Sequence, residues 1–575
     1  MIKLYRYLKP FSASIAAVVV LVFLLALSEL YLPTLMSDIV DVGIVNGDTG
    51  YIMRIGAYMI LIAAIGTLCS VGVSFLASRT AVGFGILLRR EVFARVESFS
   101  LQEFNHFGAA TLINRTTNDI TQVQTVTFMI MRMMLMAPFM CVGGIIMAVS
   151  KDRPLSLVIG VAVPLIAGLI IFILSRAIPL FRLMQVKLDK VNLVLRENLT
   201  GIRVIRAFDR IRSEQARFDL ANGDLTENAI RVNKLMATMM PAMMLVMNFT
   251  LIAIIWFGSI RIDSGGMQVG SLMAFIQYAM QIMISLLIFS MMFIMVPRAS
   301  ASAVRINEVL DTVPRINDPA EAKTVNGQRG HLAFENVTFS FPGAEEPAIS
   351  NISFQTRPGE ITAIIGSTGS GKTALISLIP RFYDVDSGSV KVDGVDVREL
   401  SLDDLRSRIG LVPQKTVLFS GSISENIRYG KADASESEIR QASAIAQAVE
   451  FITEMKDGLD SVIEQGGINI SGGQKQRLSI ARALVRHPEI YIFDDSFSAL
   501  DFKTDARLRA ALRKETGEST VLIIAQRVST VMDADRIIVM NDGQIAGMGA
   551  HRELMDSCAV YREIVYSQLS EEELA

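Results

Sequence analysis

ITAIIGSTGSGKT (361–373) decides the architecture of the C-terminal half of this chain. Its first residues form a continuous apolar run, the pattern of a strand buried on both faces. The eight that close it, GSTGSGKT (366–373), match G-x-x-x-x-G-K-[ST] in full. Glycines at these positions let backbone N–H groups close around phosphates at a helix N-terminus. In this reading Gly366, Ser367, Thr368, Gly369, Ser370 and Gly371 form the cradle. Lys372 reaches the β- and γ-phosphates and Thr373 holds Mg²⁺. ATP and Mg²⁺ are therefore the expected cofactors. A second apolar strand, IYIF (490–493), runs straight into Asp494-Asp495. Asp494 is expected to bind the Mg²⁺, usually through water, as the carboxylate partner of the glycine loop.

Three further stretches surround this pair. HLAFENVTFSF (331–341) alternates apolar and polar residues like a strand. TVLIIA (520–525) is an apolar strand that ends in Gln526. ISGGQKQR (470–477) carries Ser471, Gly472, Gly473 and Gln474, whose hydroxyl and N–H groups suit a γ-phosphate. If these residues open a helix of their own, they cannot easily reach the nucleotide of the same chain, so the motif implies a facing second copy.

The N-terminal half has another composition. The chain has 575 residues, 51% of them hydrophobic, and its mean hydropathy of +0.42 points to a membrane protein. Six segments carry the roughly 20 mostly apolar residues that a spanning helix needs: about 13–36, 54–77, 127–149, 154–180, 237–262 and 271–297. The first is too long, and lacks the small-residue cleavage site, for a signal peptide. MIKLYRYLKPF (1–11) reads as an interfacial amphipathic segment that Pro10 turns into the membrane.

Segments 78–126 and 181–236 hold Arg89, Arg90, Arg95, Arg196, Arg203, Arg206, Arg210 and Arg212, whereas the outer loop 37–53 has Asp38, Asp41 and Asp48 and no Lys or Arg. Basic loops stay in the cytoplasm, so both termini and the nucleotide-binding domain are expected there. Each long loop has about 50 residues and few helix breakers, so it extends the membrane helices on the order of 35 Å into the cytoplasm. Breaks near 104–111 and 198–208 are expected to form short helices that pass motion to the engine.

A net charge of -2 gives no case for nucleic acid. The three cysteines are isolated and the four histidines scattered. Methionines crowd one span (Met129, Met131, Met133, Met134, Met136, Met140) and another (Met239, Met240, Met243, Met244, Met247). Their flexible side chains suit ordinary packing as well as surfaces that accept many apolar shapes. Glu29 lies within a span, where an ionisable group is costly and often functional. Arg132 is expected to snorkel towards the cytoplasmic interface. Pro33, Pro138, Pro164 and Pro241 are expected to kink their helices.

The order GSTGSGKT, VPQ (412–414), ISGGQ, IYIFDD, SALD (498–501), preceded by six spans, resembles an ABC exporter half-transporter over nearly the whole chain. The resemblance implies an α-helical six-span transmembrane domain (1–310), a linker (311–330) and an α/β P-loop ATPase domain (331–575). That domain would have a RecA-like core, a β-subdomain and a helical subdomain. It implies that Phe341, where tyrosine is usual, stacks on adenine, and that Gln414 senses Mg²⁺ and water. Ser471, Gly472, Gly473 and Gln474 would be the signature offered to the partner's ATP, and Asp501 would link the two sites. The family's catalytic glutamate is Asp495 here, and its switch histidine is Gln526. These two changes resemble the degenerate-site subunit of bacterial heterodimeric multidrug exporters.

The expected function is ATP-driven export of amphipathic compounds, drugs first, across the bacterial cytoplasmic membrane. The partner would be an unlike half-transporter with intact glutamate and histidine. Lipid or lipopeptide cargo, or a regulatory ATP-binding subunit that touches no cargo, are the alternatives.

Overall fold

The computed structural model describes residues 1–325 and 329–568. Contacts divide the chain into two compact units, Met1–Glu97 with Ala110–Thr312, and Ser98–Ala109 with Val313–Ala575.

The first unit is helical. Among the described residues six helices are long and apolar enough to cross a membrane: Ile2–Ile44, Thr49–Glu97, Ala109–Lys151, Ser156–Thr200, Ile211–Asp263 and Val269–Asp311. Each has 43 to 53 residues, about twice what a hydrocarbon layer of roughly 30 Å needs at 1.5 Å per residue. The surplus is the helical extension that the sparse breakers of the long loops predict. Ile2–Phe11 is a 3₁₀ helix that buries only Leu4 and runs directly into Ser12–Asp38.

Pro33, Pro164 and Pro241 lie inside their helices. Just before Pro138 the helix instead widens into a π turn, Ile130–Met134, which Leu135 N closes onto Ile130 O at 3.2 Å. A second π turn, Arg115–Asp119, places two buried charges against the last span. Arg305 grips the Asp119 carboxylate through both Nε and Nη2, and Arg115 pairs with Glu308 at 2.8 Å. At the far end of the spans buried Asp152 accepts from Arg261 at 3.0 Å, so a charge in that turn is neutralised by its neighbour.

The second unit is built on two large sheets, with a small antiparallel pair, Gly421–Ser422 and Val462–Ile463, beside them. One is antiparallel, in the order Ile349–Thr356, Leu332–Phe339, Ser387–Val392, Val395–Asp396. The other has six strands in the order Gln544–Gly549, Arg536–Asn541, Ile361–Gly366, Thr520–Ile524, Ile490–Asp494, Ile409–Val412. All but the first of these pair in parallel. Ile361–Gly366, Thr520–Ile524 and Ile490–Asp494 are almost entirely buried, as their unbroken apolar runs require. A helical layer including Ile423–Arg428, Glu436–Ile445 and Gly472–Leu484 packs around Leu478, Ile480 and Phe451.

The polar stretch after the last span is docked on this unit: Asp318 caps Leu402 N at 2.7 Å, Asn317 O accepts from Arg381, and Lys323 pairs with Glu399 at 2.8 Å. The short helix Leu101–Phe107, started by a Ser100–Glu103 capping box, also groups with the second unit.

Candidate functional site

Four neighbouring parallel strands end on the same edge of the six-stranded sheet, and each hands over to a loop that carries one part of the site. Ile361–Gly366 leads into the glycine loop, Thr520–Ile524 into Gln526, Ile490–Asp494 into Asp495, and Ile409–Val412 into Gln414. Register holds the ends level, since Ile524 faces both Ile364 and Asp494. Ligands of open parallel sheets bind outside the carboxyl ends of strands for this reason. A cavity of about 270 Å³ opens there, lined by Phe341, Thr368, Gly369, Gly371, Lys372, Thr373, Gln414, Asp494, Asp495 and Gln526.

Only glycine fits two positions of the loop. A Cβ on Gly366 would stand 2.3 Å from Met540 O, and Gly371 has φ +93° with Ala348 O 2.5 Å from where its Cβ would be. Gly371 then opens the helix Lys372–Leu378. The Lys372 ammonium curls onto the loop, donating to Ser367 O at 2.7 Å and Gly366 O at 2.9 Å. Burial pulls its pKa below the ordinary lysine range, against the opposing pull of Asp494 and Asp495. An arriving phosphate would give that ammonium a stronger acceptor than a carbonyl.

Asp494 is 6% exposed, and burial, helped by the Asp495 charge, pushes its pKa up to about 6. A cation beside it would relieve that cost. The donors available around it are a carboxylate, the Thr373 hydroxyl and the Gln414 amide oxygen, all oxygens of the kind Mg²⁺ prefers. The Gln414 nitrogen is already committed, because it donates to Asp495 Oδ2 at 3.3 Å. Gln526 Nε2 donates to the same oxygen, also at 3.3 Å. The Asp495 carboxylate is thus held between two neutral amides. Its backbone turns at φ +48°, a left-handed conformation that aspartate tolerates better than most residues.

Phe341 stands at one rim, 41% exposed, its edge against Tyr383 at 5.6 Å between ring centroids. Such a ring is free to stack on a base. Tyr383 Oη also accepts from Asn105 of the short helix Leu101–Phe107.

The remaining residues singled out from the sequence are elsewhere. Ser471 caps the helix Gly472–Leu484 in a capping box with Gln474, and Asp501 caps Phe502–Glu515 through Thr504 N at 3.0 Å. Neither helix start lines the cavity, and the exposed Ile468 and Phe502 flank them. Gly366, Ser367 and Ser370 do not line the cavity: Ser370 is buried, and the Gly366 and Ser367 carbonyls accept from Lys372.

One residue escaped the sequence reading. Gln568 accepts from Val528 N and donates to Gln526 O, both at 2.8 Å, so the last described helix pins the loop that carries Gln526. A glutamine 42 residues further along gives no local signal of this.

The transmembrane region of ABC transporters matches residues 15–286, and the ABC transporter ATPase model matches residues 349–498. A Mycobacterium tuberculosis ABC transporter ATP-binding protein is 44% identical, over 98% of this chain and 97% of its own. The chain belongs to the ABC transporter family. A Bacillus subtilis ABC transporter ATP-binding protein is 39% identical over 99% of both chains. An ATP-dependent lipid A-core flippase of Chromobacterium violaceum is 32% identical over 95% of this chain and 93% of its own. A bacterial Atm1-family ABC exporter solved with ATP bound superposes with a TM-score of 0.81 at 25% identity, covering 97% of this chain and 98% of that one. The chain is accordingly an exporter-type half-transporter: a six-span membrane domain joined to an ABC ATPase domain.

Proposed function

We propose that this ABC half-transporter works beside an unlike partner, in the bacterial cytoplasmic membrane, exporting amphipathic compounds such as drugs. The observation that carries the two-chain reading is the separation of parts within one ATPase unit. Phe341, the glycine loop, Asp494, Asp495, Gln414 and Gln526 share one cavity, while Ser471–Gln474 and Asp501 do not line it. A second ATPase unit supplies the missing half. The helix Ile202–Ala207 buries none of its residues and Phe208 is 74% exposed, which suits a surface that a second chain covers.

The own site binds ATP with Mg²⁺ at Lys372, Thr373 and Asp494, and cleaves it slowly. Asp495 is one methylene shorter than glutamate, and the side chains that hydrogen-bond to it among the described residues are two amides that carry no charge. A general base must lie within about 2.6–3.2 Å of the proton it takes. The chain's signature, Ser471 to Gln474, completes the partner's site and takes part in hydrolysis there. Both termini and the ATPase domain lie in the cytoplasm, as the arginine-rich long loops favour.

A lipid cargo is the second reading, favoured by the 32% identity to a lipid A-core flippase. The test is to purify the chain alone and with the half-transporter encoded beside it, and to follow ATPase with the partner's catalytic glutamate replaced by glutamine. Turnover should collapse in that complex. Brisk hydrolysis by this chain alone would overturn the unequal-site reading.

A further inference from the structure

The membrane unit contains a cavity of about 580 Å³ among the first, second, third and sixth spans, within the size range of small-molecule sites. Glu29 and Arg132 both line it, together with Gln281, Met133, Met136 and Met140. Neither charged side chain has a hydrogen-bond or ion-pair partner among the described residues. Gln281 spends its amide nitrogen on Glu29 O at 3.3 Å and leaves its oxygen buried without a partner. Uncompensated charge is expensive at membrane depth and marks a wet or ligand-binding space.

Arg132 and Met133 reach this cavity from the π turn Ile130–Met134. A π turn is rare, re-aims the side chains that follow, and recurs at functional sites. The methionines supply a polarizable wall that adapts to apolar shapes.

The two charges are too far apart to pair. Phe23 and Phe139 meet edge to face at 5.5 Å and so mark one level on the first and third spans. Arg132 precedes Phe139 by seven residues and Glu29 follows Phe23 by six, so their backbones differ in level by on the order of 15 Å or more. With both side chains extended into the cavity, the charged groups stand on the order of 10 Å apart.

We propose that this cavity binds an elongated dipolar amphiphile: a cationic group at Glu29, an anionic group at Arg132, and an apolar body across the methionines. This rests on the export reading above and names its cargo class more closely. A molecule with adjacent opposite charges would satisfy one end only. An extended peptide of three to four apolar residues spans about 10–14 Å and carries an amine and a carboxylate at its ends.

The test uses the full chain in lipid nanodiscs and a hydrophobic tetrapeptide in four forms: free, N-acetylated, C-amidated and blocked at both ends. The free form is expected to bind at least ten-fold more tightly than either singly blocked form. Glu29→Gln should weaken the free peptide to the level of the N-acetylated one and leave the latter unchanged. Arg132→Gln should do the same with respect to the C-amidated one. If either variant does not fold, the four peptides on the unaltered chain decide the matter alone. Binding of all four forms within twofold would overturn the dipolar inference and leave export of amphiphiles standing. Failure of all four to bind would overturn the inference, while the export reading stands or falls by the ATPase measurements on the two-chain complex.

Discussion

Lengthening Asp495 by one methylene tests directly the proposal that the own site is slow because Asp495 falls short as a base. Asp495→Glu moves the carboxylate forward by more than about 1 Å, and misplacement of that size at a reacting centre is worth on the order of 100-fold, or about 2.7 kcal/mol. The surroundings limit how freely the gain appears. Gln414 and Gln526 each donate to Asp495 Oδ2 at 3.3 Å, only a few tenths of an ångström longer than a usual N–H···O contact of about 2.9–3.0 Å. A glutamate carboxylate therefore displaces at least one amide.

Gln414 and Gln526 each follow the end of a strand by two residues, so either amide can yield. The single substitution should raise turnover at the own site by about 10- to 100-fold. Adding Gln526→His, which can carry positive charge towards the γ-phosphate, should raise it further and more than additively, since the two residues touch. The assay is phosphate release from the complex whose partner has its catalytic glutamate replaced by glutamine, so that only this chain's site turns over. ATP affinity should stay within a few-fold, because Lys372, Thr373 and Asp494 are untouched. Turnover within twofold of the starting value in both variants would refute the argument that reach and charge at Asp495 and Gln526 limit hydrolysis.

Lys372→Ala should abolish measurable nucleotide binding, losing at least 100-fold in affinity in a fluorescent-nucleotide titration, because a charge-assisted contact to phosphate disappears. In EDTA, Asp494→Asn should stabilise the ATPase unit above pH 6. A carboxyl held at about 6 when folded and 3.8 when unfolded penalises the fold at neutral pH. The penalty is on the order of 3 kcal/mol and fades as pH falls from 6 towards 4. The difference in melting temperature between the two proteins should shrink over that window, and saturating Mg²⁺ should reduce it at pH 7.5. Gln568→Ala should speed amide exchange at Val528 and lower turnover in the Asp495→Glu background by several-fold without changing ATP affinity, as two hydrogen bonds worth about 1 kcal/mol each are lost. Asp119→Asn should cost the membrane unit on the order of 1 kcal/mol, read as a lowered unfolding temperature in detergent, because Arg305, half exposed, exchanges a charged acceptor for a neutral one.

The glycine loop and the apolar strands that lead into it and into Asp494 were legible in the sequence because they are local. Glycines at fixed offsets after an apolar strand admit few backbone paths, and Gly366 and Gly371 sit where a Cβ would strike a carbonyl. The six spans were equally legible, since a bilayer imposes its length on any helix that crosses it. Their helical extensions beyond the apolar stretches followed from the scarcity of glycine and proline in the long loops.

What depends on residues far apart in the chain was decided by the tertiary structure. Strand order is set by which buried faces pack together, and only that order brings Gln414, Asp495 and Gln526 to one carboxylate oxygen. Gln568 reaches the Gln526 loop because the last helix folds back on the sheet. Arg132, read from its position as a snorkelling end group, shares a cavity with Glu29 because the third span opens into a π turn at Ile130–Met134. The sequence by itself determined which groups exist and which backbone each can adopt. Which of them meet was left to packing, where the free energy of burying strands and helices exceeds any preference a short stretch can express.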